Sequence, residues 1–283
     1  MQSVSPSSKP GPVERAGVPR SFDAHARTYD KLVAANPGYH EHLRMTVRRM
    51  GLPNRGAGLR LLDLGCGTGA STAALLDGAP EAQITGVDAS AEMLAQARRK
   101  TWPTTVRFVH GNVENLAMNG IVGPYDGILA AYLVRNLVHR DAALRQFHRL
   151  LRPGAPIAVH EYSVRDSLRS RAVWTAICWG VIIPMGKIRT GSAGLYRYLW
   201  RSVLQFDGVG ALTERLAAAG FDDVRVQTVP GWQQHIVHTF LGRRPATDEP
   251  ARIALRSVDA PDVDPDAMTP PEGVDMTEEP TGT

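Results

Sequence analysis

The stretch Arg60-Leu61-Leu62-Asp63-Leu64-Gly65-Cys66-Gly67-Thr68-Gly69, followed by Ile84-Thr85-Gly86-Val87-Asp88, decides the fold class of this 283-residue chain. An apolar run of strand length is broken by three alternate glycines. A helix-forming segment, a second apolar run and a carboxylate come after. The pattern reads as strand, tight turn, helix, strand. Glycines in such a turn let backbone approach a ligand, and a carboxylate at the end of the next strand can accept from both hydroxyls of a ribose. The segment is a candidate site for a nucleoside-bearing cofactor.

The spacing narrows that cofactor. A dinucleotide site carries G-x-G-x-x-G, with the pyrophosphate on a helix N-terminus kept clear of negative charge. Here the glycines are Gly65, Gly67 and Gly69, and Asp63 stands two residues before the first. A carboxylate so close suits a ligand with a cationic end, such as the amino group of S-adenosylmethionine.

Outward from this unit, helix and strand patterns alternate. Helices are expected over 22–34, 41–50, 70–77, 90–100, 141–151 and 209–219, and strands over 60–64, 83–87, 105–109, 126–130, 156–161, 223–229 and 234–241. Arg152-Pro153-Gly154 stops one helix and Gly220 closes another. The short Pro230-Gly231 connection makes the last two strands an antiparallel hairpin. Residues 165–205, with Trp174, Trp179 and Trp200 inside them, break the rhythm and read as a helical insertion. The class expected is α/β: a Rossmann-like, doubly wound, mostly parallel seven-stranded sheet with a C-terminal antiparallel hairpin and a helical insertion. Residues 1–20, rich in Ser, Pro and Gly, and 245–283, acidic and proline-rich, read as disordered tails around a domain at 21–244.

Charge is divided unevenly. From Pro245 onward ten acidic residues face two arginines, a net −8 within a chain of formal charge +4, so residues 1–244 carry +12. A basic body points to anionic partners, or to a solvated arginine-rich surface. The basic residues are scattered and the tryptophan-rich segment is apolar, which argues against a nucleic-acid platform. Two cysteines, one inside the glycine turn, argue against a structural disulfide and fit a reducing cytoplasm. The start shows no apolar signal core, and no run reaches the roughly 18 apolar residues of a membrane span.

The motifs resemble those of class I S-adenosylmethionine-dependent methyltransferases. Leu62-Asp63-Leu64-Gly65-Cys66-Gly67-Thr68-Gly69 looks like their first motif, Gly86-Val87-Asp88-Ala89-Ser90-Ala91-Glu92-Met93-Leu94 their second, and Gly111-Asn112-Val113-Glu114-Asn115-Leu116 their third. The resemblance implies that Gly65, Cys66, Gly67 and Gly69 meet the methionine part, that Asp63 faces its ammonium, and that Thr68 donates a hydroxyl hydrogen bond. Asp88 then takes the ribose, with Ala89 beside it, Met93 packs near the adenine, and Asn112 and Val113 line the adenine edge. Tyr29, in Phe22-Asp23-x-x-Ala26-x-x-Tyr29-Asp30, looks like an aromatic lid, or else a staple for the first helix.

Arg135-Asn136, Arg149-Leu150-Leu151-Arg152-Pro153-Gly154, His160-Glu161-Tyr162-Ser163 and Leu195-Tyr196-Arg197-Tyr198-Leu199 are similar to the ubiquinone/menaquinone biosynthesis C-methyltransferase family. Those enzymes methylate a ring carbon of a prenylated hydroquinone. The chain departs from the family at Lys31-Leu32-Val33-Ala34-Ala35-Asn36, Ala131 and Ala155, so a relative acting on another apolar acceptor fits as well. Ring-carbon attack needs a phenolate. Arg135 stays protonated and can stabilise one, Asn136 can orient the acceptor, and His139 is the nearest conventional base or else a surface residue. O- or N-methylation of a small apolar metabolite or lipid headgroup, and cofactor binding without turnover, are the competing readings. The apolar run Val173–Met185, flanked by basic residues, is a candidate wall for the acceptor and for peripheral contact at the inner face of the membrane; a core helix or a homodimer contact is the alternative.

Overall fold

A computed structural model describes residues 38–190 and 193–246. The helix expected over 22–34, Tyr29 within it, the tail at 1–20 and all but the start of the C-terminal tail lie outside the described residues.

Helix α1 (Tyr39–Met50) leads to β1 (Arg60–Leu64), α2 (Ala70–Gly78), β2 (Gln83–Asp88), α3 (Ala91–Arg98) and β3 (Val106–His110). After a 3-10 turn at Val113–Asn119 come β4 (Gly127–Ala131), a 3-10 turn at Val134–Asn136, α4 (Arg140–Leu150) and β5 (Pro156–Tyr162). The insertion holds α5 (Leu168–Ile177), a π-helical turn (Cys178–Ile182), α6 (Ile183–Thr190) and α7 (Gly194–Gln205). Helix α8 (Val209–Ala218), β6 (Asp222–Thr228) and β7 (Val237–Arg243) complete the domain.

The seven strands run in the order β3-β2-β1-β4-β5-β7-β6. β1 to β5 are parallel, and β7 lies antiparallel between β5 and β6. Central strands of a parallel sheet are covered on both faces, so their sequences are apolar throughout rather than alternating. Successive residues therefore enter different cores. Leu62, Leu64, Ile128, Ala130, Ile157 and Val159 pack with Phe147 of α4 and Leu212 and Leu216 of α8. Leu61, Ile84, Leu129 and Ala158 pack on the other face with Leu43 and Val47 of α1 and Leu75 of α2. The insertion has its own core around Trp174, Cys178, Ile183, Tyr196 and Val203, closed against Tyr162 and Val237.

One expectation is corrected. The last two strands do pair antiparallel, but residues 229–236 connect them rather than a Pro230-Gly231 turn. Gly231–Gln233 forms a 3-10 turn that buries Gln233, and His235 takes φ 62, so the chain enters the sheet only at Val237. Strand order reverses at β1, between β2 and β4. In such sheets the crevice beyond the strand C-termini at the reversal is where a ligand sits.

Candidate active site

The loop after β1 is the floor of that crevice. Gly65 takes φ 70, and an added Cβ would stand 2.9 Å from Leu133 Cδ1, so a side chain there would collide with the turn after β4. The N–H groups of Gly65 and Cys66 both donate to Val87 O, that of Gly67 to Asp88 Oδ2 at 2.8 Å, and that of Gly69 to Cys66 O. These four donors are spent within the protein. A pyrophosphate needs such donors free, so the loop is unsuited to a dinucleotide and open to a cationic ligand end. At Gly67, with φ 53, nothing lies within 4 Å of where a Cβ would be, leaving a cradle beside the loop.

A cavity of about 300 Å³ opens there. Gly65, Cys66, Gly67, Thr68, Asp88, Ala89, Met93, Asn112, Val113, Arg135 and Asn136, all singled out from sequence, line it. Asp88 ends β2, and its second oxygen accepts from Ser90 N at 2.8 Å, which fixes the carboxylate while Ser90 Oγ caps α3. Asn112 caps the following turn through Oδ1, accepting from Glu114 N at 2.9 Å, and its amide nitrogen is the group left for a ligand edge. Cys66 is buried, and burial pushes its thiol well above the ordinary range, so it serves as packing rather than as a nucleophile.

Asp63 and Gly69 do not line the cavity. Asp63 is fully buried beneath it; Oδ2 accepts from Ser71 Oγ at 2.8 Å and Thr72 Oγ1 at 2.6 Å, while Oδ1 is buried with no partner. Burial raises its pKa to about 7 against the lowering effect of those hydroxyls. An orphaned carboxylate oxygen under the glycine loop fits a ligand ammonium. With the Gly67 cradle and the anchored Asp88, it makes the residues present suitable for S-adenosylmethionine.

On the acceptor side, the turn after β4 gathers its groups around one residue. Tyr132 adopts φ 55, and its carbonyl accepts from Arg135 Nη1 at 2.9 Å and Asn136 Nδ2 at 3.2 Å. Its hydroxyl meets His160 Nε2 at 3.1 Å. His160 is fully buried, which holds its pKa down to about 3, so it is neutral and accepts. Thr46 Oγ1 donates to His42 O and meets His160 Nδ1 at 2.9 Å, which places the imidazole proton on Nδ1 and leaves Nε2 to receive the Tyr132 proton.

Arg135 is only 6% exposed. Its Nη1 donates to Glu161 Oε1 at 2.5 Å, and the fully buried Glu161 also accepts from the N–H groups of Arg135 and Tyr162. Burial opposes the charge, but Glu161 outweighs it and the guanidinium pKa is raised. The Arg135 Nε remains buried without a partner. Asn136 Oδ1 accepts from Tyr198 Oη of α7 at 3.1 Å, so the insertion holds the amide from the far side.

His139 is not brought to the cavity. Its side chain is exposed and borders a separate polar pocket with Arg140, Asp141 and Arg145, while its backbone N–H donates to Glu114 Oε1 at 2.6 Å. Sequence reasoning missed Tyr39 and Tyr132, which stack at 5.6 Å in the cavity wall, and the roles of Glu161 and Tyr198. Glu161 and Tyr198 stand within the quoted motifs. Tyr132 had no signal but its place three residues before Arg135.

The chain matches the model of the ubiE/COQ5 methyltransferase family over residues 12–239. It is 34% identical over 176 residues to the ubiquinone/menaquinone biosynthesis C-methyltransferase UbiE of Bradyrhizobium diazoefficiens, covering 60% of this chain and 69% of that one. It is 34% identical over 181 residues to the demethylmenaquinone methyltransferase of Thermus thermophilus, covering 63% and 81%. Among solved structures, the [4+2]-cyclase SpnF superposes with TM-score 0.61 at 17% identity over 85% of this chain and 98% of that one, a likeness of fold alone. The matched span runs through the cofactor loop, the Tyr132 turn and the strand carrying Glu161, and on that ground the chain belongs to the ubiE/COQ5 methyltransferase family, as an S-adenosylmethionine-dependent methyltransferase.

Proposed function

We propose that the enzyme methylates a ring carbon of a prenylated quinol or similar apolar phenol. The observation that carries this reading is the buried Arg135 in the cavity wall, paired with Glu161 behind it, with Asn136, Leu133, Leu137, Val138 and the Tyr39–Tyr132 stack lining the same cavity. An apolar wall with one fixed guanidinium suits an aromatic acceptor that must carry negative charge only while it reacts.

The bound cofactor supplies an electrophilic methyl group on sulfonium. The protein's work is to hold the acceptor carbon in line with that methyl and to keep water out. Asp88 would hold the donor's ribose, and Asp63, buried under the glycine loop, would supply negative charge toward its ammonium. Arg135 stabilises the phenolate, whose charge spreads onto the adjacent ring carbon, and Glu161 keeps the guanidinium from swinging away. Asn136, gripped by the Tyr132 carbonyl and the Tyr198 hydroxyl, orients the acceptor's oxygen. Arg135 lowers the phenol's pKa, so the acceptor loses its proton to water before it is seated; as the ring carbon takes the methyl the methyl–sulfur bond breaks, and the hydrogen on that carbon then leaves as a proton to restore the aromatic ring. An acceptor of this kind dissolves in lipid, so the reading includes a peripheral contact with a membrane.

Incubation with methyl-labelled cofactor and a prenylated demethyl-quinol tests it. A ring-methyl product is expected by NMR, and complementation of a strain lacking quinone-ring methylation should restore the methylated lipid. Label found on oxygen or nitrogen would overturn the ring-carbon assignment.

A further inference from the structure

Helix α5, the π-helical turn and α6 form one continuous helical run with an inward stripe and an outward one. Ser170, Trp174 and Cys178 face inward and are buried. Leu168, Ala172, Ala176 and Trp179 recur at i, i+4, i+8 and i+11, which places them together on the opposite face, and all four are exposed. Leu168 is 80% exposed and Trp179 48%; beyond the π turn Val181 is 53% and Ile188 84%. Large apolar side chains grouped on one exposed stripe mark an interaction site, so this outward face calls for an occupant.

Charge identifies the occupant. From Ser167 to Phe206 the chain holds six basic residues and no acidic one. Arg169, Arg171, Lys187 and Arg201 are exposed and make no ion pair with any described residue. Arg197 lies 6.0 Å from the centroid of the Trp179 ring, and Trp200 meets that ring edge-on at 5.5 Å, so the surface tryptophan is held in place. A second copy of the chain would fit poorly. A two-fold interface sets a patch against itself, and here it would oppose unpaired cations. No helix among the described residues is long and apolar enough to cross a membrane. Aliphatic and tryptophan side chains ringed by arginine and lysine match the boundary of an anionic bilayer, where rings and stems enter the acyl region and the cations meet phosphates.

We propose that the outward face of α5 and α6 docks the enzyme peripherally on an anionic lipid surface, with Leu168 and Trp179 as the inserted anchors. No residue of Val173–Met185 lines the cavity; the insertion reaches it through the Tyr198 hydroxyl on Asn136, so docking would bring the Asn136 side of the cavity toward the lipid that holds an apolar substrate. The proposal rests on the reading of a lipid-soluble acceptor for its purpose, and on surface chemistry for its argument.

Sedimentation of the full chain with phosphatidylcholine vesicles, with and without phosphatidylglycerol, tests it. Binding is expected only with phosphatidylglycerol. Leu168→Ser/Trp179→Ser should weaken that binding at least about tenfold, as the loss of two buried apolar side chains requires. Arg169→Gln/Arg171→Gln/Lys187→Gln should also weaken it and remove its salt dependence. Both variants should keep wild-type cofactor affinity and wild-type turnover of a detergent-dispersed acceptor. Absence of binding at low salt would overturn the proposal. So would binding unchanged in Leu168→Ser/Trp179→Ser, or a dimer in solution that this variant abolishes. Failure to methylate any phenol while vesicle binding persists would strike the proposed reaction and leave the docking face standing.

Discussion

Asp63 and Asp88 are carboxylates on consecutive strands, β1 and β2, which are neighbours in the sheet, yet they do different work. Asp88 is anchored by two backbone N–H groups and stays at the cavity edge. Asp88→Ala should weaken cofactor binding by about 1.5–3 kcal/mol in calorimetry, the worth of hydrogen bonds to a charged group. Asp63 is buried and titrates near 7 rather than 3.8. Between those values the folded state holds a proton that the unfolded chain has lost, so this group's contribution to stability falls as pH rises through that window. Without cofactor, Asp63→Asn should raise Tm over wild type at about pH 8, with the gain shrinking toward about pH 5. With cofactor, wild-type affinity should rise as pH passes about 7 and the carboxylate forms, and Asp63→Asn should flatten that rise. Arg135 poses the matching case for a cation. Arg135→Ala strands the Glu161 charge in the core and should cost about 3–5 kcal/mol in urea unfolding. Arg135→Ala/Glu161→Gln should recover most of that stability and none of the turnover, which separates the guanidinium's chemical role from its structural one.

At the scale of elements, the parts of the site legible in sequence are those that one strand and its following turn carry by themselves. The loop from Asp63 to Gly69 and the Asp88 to Met93 segment were readable because local backbone demands, a glycine turn and a capped helix start, coincide with the ligand's demands. The Tyr132 turn was not readable. Its importance comes from a carbonyl that two side chains share, and from a hydroxyl fixed by His160 of β5 and Thr46 of α1, which lie 28 and 86 residues away. Helix α7 contributes in the same way. Tyr198→Phe removes only the donor to Asn136, and turnover should fall roughly 2–10-fold with cofactor affinity unchanged, the equivalent of one hydrogen bond. His139 shows the reverse failure: three residues of sequence from Asn136, it belongs to another pocket, because the chain turns out of the cavity to start α4.

At the scale of the molecule, the sheet and the insertion have separate cores that meet at Tyr162 and Val237. Trp174 is completely buried in the second. Trp174→Ala should cost the insertion about 3–5 kcal/mol, opening residues 165–205 to proteolysis while amide protection in β1, β4 and β5 persists. The same separation explains the two-faced α5. Its inner stripe is used up by its own small core, and no described residue covers its outer stripe.

The sequence by itself determined the strand-turn-helix unit, the doubly wound class and the cofactor type, because apolar periodicity, glycine spacing and a carboxylate at a strand end are properties of neighbouring residues. Only the tertiary structure decided that Asp63 lies under the cavity with one oxygen unpaired, that Glu161 and Tyr132 hold Arg135, and that Leu168 and Trp179 face outward. Each of those facts depends on burial and on partners brought together from distant parts of the chain, and local pattern carries no record of either.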